Sequence, residues 1–223
     1  MTNKVALMEF EGNANIGLFF FVNDKFAILG KQVDEKKKKE IENVLDVPVY
    51  TLQVLSTDLI GVFLSGNNEI LLSPQLYEHE LKQLEEICSK HDMKLIQIED
   101  KLNTLGNNIC VGDEEILINS NYSRQFKDHI KKATNLKVIE LNHSEFSSAG
   151  AVCTFAKGKY YVSQELNEEM VKDFIDKIAG VGSINSGSPF VASGIVANNN
   201  GMIIGSLSST VEIQEVVENL DYL

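Results

Sequence analysis

Leu102-Asn103-Thr104-Leu105-Gly106-Asn107-Asn108-Ile109-Cys110-Val111 places a glycine at the threshold of a short apolar strand. A polar turn follows at Gly112-Asp113, and a second strand leaves at Ile116-Leu117-Ile118. The pattern recurs: Gly17, Gly61, Gly106, Gly150 and Gly194 each open such a strand, at successive intervals of 44, 45, 44 and 44 residues. Self-similarity at a fixed period of this size marks one supersecondary unit copied along the chain. Five copies account for nearly all of the 223 residues.

Each copy reads as strand, hairpin, strand, helix, strand. In the first, Ile16 to Val22 and Phe26 to Leu29 flank the turn Asn23-Asp24-Lys25. The acidic start Asp34-Glu35 suits a helix N-terminus, and Ile41, Val44 and Leu45 then recur at helical spacing. Pro48 ends that helix, and Val49 to Val54 forms the closing strand. The second helix is expected over about Tyr77 to Lys90, with Leu81, Leu84, Ile87 and Cys88 inward; the third buries Phe126, Ile130 and Ala133. In the fourth, Met170, Phe174 and Ile178 stack at every fourth position of a helix starting near Asn167. Ser209 or Thr210 caps the last, which carries Ile213, Val216, Val217 and Leu220.

The fifth copy stops one strand short, while Val5 to Phe10 precedes the first copy with no partner of its own. If that segment completes the fifth unit, the ring closes and no edge is left open. The expectation is a single α/β domain of five ββαβ units about a pseudo-fivefold axis. The repeats span roughly 14–54, 57–100, 102–144, 147–188 and 190–223, with strand 4–10 closing the ring. The opening glycines are architectural, because strands converging on an axis leave no room for a Cβ.

Composition limits the chemistry. No apolar run reaches the length of a membrane span, and Met1-Thr2-Asn3-Lys4 does not begin a secretory signal, so a soluble cytoplasmic chain is expected. Cys88, Cys110 and Cys153 form no disulfide framework and no C-x-x-C pair, so buried thiols are expected and no metal. A net charge of −12, with Arg124 the sole arginine, opposes binding to bare nucleic acid. A basic protein surface is the better partner. Lys36-Lys37-Lys38-Lys39 reads as a solvated outer face, with contact to RNA as the sharper alternative. Tyr160 and Tyr161, adjacent in a strand, point to opposite sides, one of them into the core. No Walker-type loop is present, so no nucleotide cofactor is expected.

Three segments carry a resemblance: Phe10-Glu11-Gly12-Asn13-Ala14-Asn15-Ile16-Gly17, Leu102-Asn103-Thr104-Leu105-Gly106-Asn107, and Val181-Gly182-Ser183-Ile184-Asn185-Ser186-Gly187. In one register over essentially the whole chain, it resembles the translation initiation factor 6 family of archaea and eukaryotes. That resemblance implies the pentein ring and a non-enzymatic factor without cofactors. It also implies binding to the inter-subunit face of the large ribosomal subunit, chiefly at a uL14-type ribosomal protein near the sarcin-ricin loop. There the factor prevents small-subunit joining and takes part in large-subunit maturation; a monomer is expected. By motif match the ribosome-binding positions are Asn15, Gly17, Gly61, Val62, Leu105, Gly106, Asn107, Asn185 and Gly187. Asn107 either offers its amide to the partner or bonds its own backbone in a turn.

The chain departs from the family at Ser186, where a basic residue is usual, at Leu207-Ser208-Ser209, and at Val62, where eukaryotic members carry arginine. Repeat four also lacks the His-Pro that often ends its hairpin. The rival from another class is a pentein enzyme acting on guanidino groups, which needs a thiolate, a proton-transferring histidine and carboxylates. Repeat five has neither Cys nor His; His79, His91 and His129 ride on helices, and His143 follows a strand. A divergent paralogue binding another protein is the third reading.

Overall fold

The computed structural model describes residues 4–31, 33–141 and 147–223; His143 lies outside them. Five three-stranded sheets follow one another around an axis. In each, an inner strand pairs antiparallel with a middle strand, which pairs parallel with an outer one. Sheet one is Phe20–Val22, Ala27–Leu29 and Val49–Thr51. Sheet two is Ser65–Gly66, Ile70–Pro74 and Lys94–Ile98; sheet three is Ile109–Val111, Glu115–Asn119 and Lys137–Leu141. Sheet four is Cys153–Ala156, Lys159–Ser163 and Ile178–Gly182. Sheet five takes its inner and middle strands from Ile195–Ala197 and Met202–Gly205, and its outer strand from the other end of the chain, Val5–Met8. Val5 pairs with Met202 and Met8 with Gly205, in parallel, so the beginning of the chain completes the fifth unit as expected.

The sheets stand as partitions between five wedges of core. Ala27 and Leu29 face one wedge, with Met8, Ile41, Leu45 and Ile203. Ile28 faces the next, with Leu52, Leu71 and Leu84. A strand buried on both faces reads as a continuous apolar run and not as an alternation. This corrects the expectation for Tyr160 and Tyr161: they do point to opposite sides, but both are fully buried, in neighbouring wedges.

Helices on the outside close the wedges. Glu35–Leu45 is capped by Asp34, whose carboxylate accepts from the Lys37 amide at 2.7 Å, and ends at the left-handed Asp46. Glu78–Lys90, Arg124–Thr134 and Thr210–Asn219 fall where the periodicity places them. Repeat four differs. Its expected helix is one turn, Glu168–Val171, then a 3-10 turn, Ile175–Lys177, and Ile178 already begins the outer strand.

At the hairpin end of the axis, asparagines stitch successive units together. Asn198 Nδ2 donates to the Asn23 carbonyl, Asn23 Nδ2 to that of Asn67, and Asn67 Nδ2 to that of Gly112, at 2.8–3.1 Å. The Oδ1 of each accepts two amides of its own turn, so one side chain sets the hairpin and links it to the next.

Candidate functional site

The opposite end of the axis is built from five short helical turns that precede the inner strands. They are Ile16–Leu18 (3-10), Ile60–Phe63, Leu105–Asn108, Ala149–Val152 and Val191–Gly194. The glycines therefore sit in these turns and do not open the strands directly, which corrects the sequence reading. Asn15, Leu59, Thr104, Ser148 and Phe190 precede the turns with φ between −75° and −85° and ψ between 59° and 79°, a sharp bend that swings the chain inward. The first residue of each turn, Ile16, Ile60, Leu105, Ala149 or Val191, is fully buried.

The second residue stands at the axis, and there the units touch through backbone. A Cβ on Gly61 would collide with the Gly17 carbonyl oxygen, one on Gly106 with that of Gly61, and one on Gly150 with that of Gly106. A Cβ on Gly17 would meet the carbonyl oxygen of Ala192. The fifth member of the ring is thus Ala192. Gly194 ends its turn against Ile184 and Asn185 and does not correspond to the other four.

The remaining predicted positions divide by role. Asn15, Asn185 and Ser193 come together: Asn185 Nδ2 donates to the Ala14 carbonyl at 2.9 Å and to Asn15 Oδ1 at 3.2 Å, and Ser193 Oγ donates to the same Oδ1 at 3.0 Å. These groups fasten the end of repeat four and the start of repeat five to repeat one. Gly187 is required by its left-handed φ of +96°, and its amide donates to Glu212 Oε1 at 2.8 Å. Leu105 and Val62 are buried, so they support the turns from beneath. Asn107 alone keeps an unspent side chain: half-buried at the axial end, its side-chain amide makes no hydrogen bond among the described residues, although its backbone N–H donates to the Thr104 carbonyl at 3.2 Å. The turn-setting amide is its neighbour Asn108, which donates to Thr104 O and Oγ1 at 2.9 Å and accepts from Asn119 at 2.7 Å.

Sequence reasoning missed Phe190, 44 % exposed beside Ser193; Leu207, marked in the sequence as a departure, is 63 % exposed and its carbonyl accepts from Ser186. The departures at Ser186 and Leu207 thus lie against each other at one corner of this end.

Two helix carboxylates hold the left-handed loops of this end in place. Glu80, 1 % exposed, accepts from the amides of Leu55 and Ser56 at 3.0 and 2.7 Å. Glu212 does the same for Ser186 and Gly187, and also takes Ser183 Oγ and its own cap amide, Ser209. Burial alone would raise the Glu212 carboxyl, but these donors outweigh it and hold it at about 2. A depressed carboxylate stabilises the fold above its unfolded value and loses that contribution as pH falls toward its folded one. Glu212→Gln is expected to cost about 3 kcal/mol at neutral pH. It should also flatten the loss of stability between pH 4.5 and 2, as read by denaturant unfolding at a series of pH values. An unchanged slope would show that the clamp is not ionic.

Between the two ends runs a cavity of about 520 Å³ lined by the inner strands and the axial turns, with no charged residue in its wall. Cys110 and Cys153 line it, and both are fully buried in effect. Burial, then Glu115, pushes the Cys110 thiol up to about 12, and burial raises Cys153 well above its usual value. Burial, then Glu85, raises Cys88 to about 11. These thiols are therefore protonated at neutral pH and do not supply the thiolate that guanidino chemistry needs. No cluster of three or more metal-ligating side chains occurs among the described residues, and none of their helices is long and apolar enough to cross a membrane.

The chain is 27 % identical over 224 residues to translation initiation factor 6 of Pyrococcus horikoshii, covering 97 % of this chain and 98 % of that one. It is 29 % identical over 223 residues to translation initiation factor 6 of Staphylothermus marinus, covering 97 % of each. Among solved structures it is similar to a dimethylarginine dimethylaminohydrolase adduct with S-methyl-L-thiocitrulline (TM-score 0.51, 10 % identity, 92 % of this chain and 74 % of that one). The N-terminal domain of ArgZ, an arginine dihydrolase from Cyanobacteria, gives the same TM-score and identity over 88 % and 74 %. At that identity the two hydrolases share only the fold, the pentein ring of five αβ sectors. The eIF-6 family model matches residues 5–219, and the chain belongs to the eIF-6 family.

Proposed function

We propose that this protein binds the large ribosomal subunit through the end of the ring carrying the axial turns, and prevents joining of the small subunit by occupying its place. Family membership over residues 5–219 carries the proposal. The geometry agrees with it: backbone contacts at the axis and carboxylate-clamped loops make a stiff face, and steric occlusion requires stiffness and not a pocket. The finer partner is a basic ribosomal protein of the uL14 type near the sarcin-ricin loop, which suits a chain of net charge −12. On this reading one five-sector domain acts as a monomer in the cytoplasm, and also takes part in large-subunit maturation. Gly17, Gly61 and Gly106 let the end lie flat, Asn15, Leu105, Val62, Asn185 and Gly187 hold its shape, and Asn107 makes the contact.

Asn107→Ala is expected to weaken binding about five- to twentyfold, the effect of one interfacial hydrogen bond, with an unchanged melting temperature. The measurement is co-sedimentation with purified large subunits through a sucrose gradient. Full affinity in the variant removes Asn107 from the contact. Parent protein remaining at the top of the gradient favours a paralogue with another partner.

A further inference from the structure

The lysine run of the first helix divides in the structure. Lys36 and Lys39 are exposed, and Lys37 donates to the Glu9 carbonyl at 2.7 Å. Lys38 lines a slot of about 420 Å³ on the rim, between the outer strand Val49–Thr51 and the helix Glu78–Lys90. Leu52 and Ile87 form its apolar floor, and Lys90 stands on the helix side.

The strand side of this slot is a sheet edge. Ala27 N donates to Pro48 O, and Leu52 N to Leu29 O, both at 3.0 Å. Even-numbered residues of the strand therefore bond inward, and Val49 and Thr51 turn their amide and carbonyl groups outward. The Val49 amide is taken by Glu42 Oε1 at 3.3 Å, whereas the Thr51 amide and carbonyl have no partner among the described residues. In three other sectors the matching gap is crossed. Lys37 reaches Glu9, Lys94 Nζ reaches the Ala133 carbonyl at 2.7 Å, and Gly180 packs against the Asn219 side chain. In this sector Tyr50 Oη, at the middle of the strand, bonds His91 Nε2 at 2.9 Å just past the helix end, and Glu80 holds Leu55 and Ser56 beyond the other end of the strand. The slot is thus propped open between two fixed points.

Its charge selects an occupant. Neither Lys38 nor Lys90 has a carboxylate within ion-pair distance among the described residues, and Lys90 Nζ lies 5.4 Å over the Tyr50 ring. Glu86 on the helix wall leaves the lining with one net positive charge, on a chain that is otherwise strongly acidic.

We propose that this slot takes an extended acidic segment of a partner protein as a fourth strand of sheet one. Its backbone bonds the Thr51 amide and carbonyl, and its carboxylates meet Lys38 and Lys90. Strand addition to an open edge draws affinity from main-chain hydrogen bonds and specificity from the flanking side chains. The slot lies on the rim, away from the axial turns, so it does not depend on the ribosome-binding proposal.

The test is fluorescence polarisation with a labelled heptapeptide alternating valine with aspartate or glutamate, titrated with the full chain. Saturable binding is expected, weakened at least tenfold when alternate peptide amides are N-methylated, when lysine replaces the acidic residues, or in Lys38→Glu/Lys90→Glu. Lys131→Glu/Lys132→Glu, on the distant third long helix, should bind like the parent. Hydrogen exchange at Thr51 should slow when the acidic peptide is bound. The proposal is overturned if the acidic peptide fails to saturate by about 1 mM, if the N-methylated peptide binds equally, or if charge reversal at Lys38 and Lys90 changes nothing.

Discussion

A chain shortened to begin at Glu9 is expected to lose its cooperative unfolding transition and to self-associate. Val5–Met8 is only four residues, yet it supplies the whole outer strand of sheet five. Removing it strips the outer edge from Met202–Gly205, whose four residues are all buried. It leaves the amides of Met202 and Ser206 without the Lys4 and Met8 carbonyls they now bond at 2.8 Å. It also removes Met8, 6 % exposed, from the wedge that holds Phe10, Ile41 and Ile203. A lost core side chain costs about 2–5 kcal/mol, and the buried Met202 amide, left unsatisfied, adds about 1–3 kcal/mol. Together these approach the about 5–15 kcal/mol that holds a typical domain together. The strand stays paired with Ile195–Ala197 on one side, but its newly uncovered edge is apolar and unpaired, a template for association with a second copy. Circular-dichroism melts and size-exclusion chromatography read both effects. A monomer melting at the parent temperature would mean that closure by the N-terminal strand contributes nothing to the ring.

The five-fold count and this closure were legible because they rest on long-range repetition, which survives local ambiguity. The long helices were legible because their apolar residues recur over three turns and their caps are chemically marked, as at Asp34 and Ser209. The axial turns were not. A four-residue turn such as Leu105–Asn108 has no period to detect, and its apolar first residue merges with the strand that follows. Gly194 was misassigned because the fourth unit is shorter, 42 residues from Gly150 to the next axial position against 44 or 45 elsewhere, so that Ala192 takes the axial place. The helix of repeat four was overextended because Ile178, at helical spacing from Phe174, is equally at home opening a strand. At the candidate site, sequence alone could not tell the free amide of Asn107 from the committed one of Asn108. The difference lies in Thr104 and Asn119, which only folding brings to Asn108.

Gly61→Ala and Gly106→Ala should each destabilise the protein by about 3 kcal/mol or more, because an added Cβ must displace backbone and not a flexible side chain. At Gly106 it would strike the Gly61 carbonyl oxygen and also stand 2.6 Å from that of Leu64. Neither oxygen can retreat without moving the second sector, whose own Gly61 is pressed against Gly17 in the same way. For a chain of this size the loss corresponds to a melting temperature lower by about 6–12 °C. Ala192→Gly is the informative control. The backbone there already carries a Cβ, so its removal should change stability by less than about 1 kcal/mol. If Gly106→Ala melts like the parent, the units do not meet at the axis through their backbones. If Ala192→Gly costs as much as Gly106→Ala, the ring depends on the count of side-chain atoms at its centre and not on the close approach of its chains. Steric obstruction by a flat, unyielding end requires the first variant to fail and the second to pass.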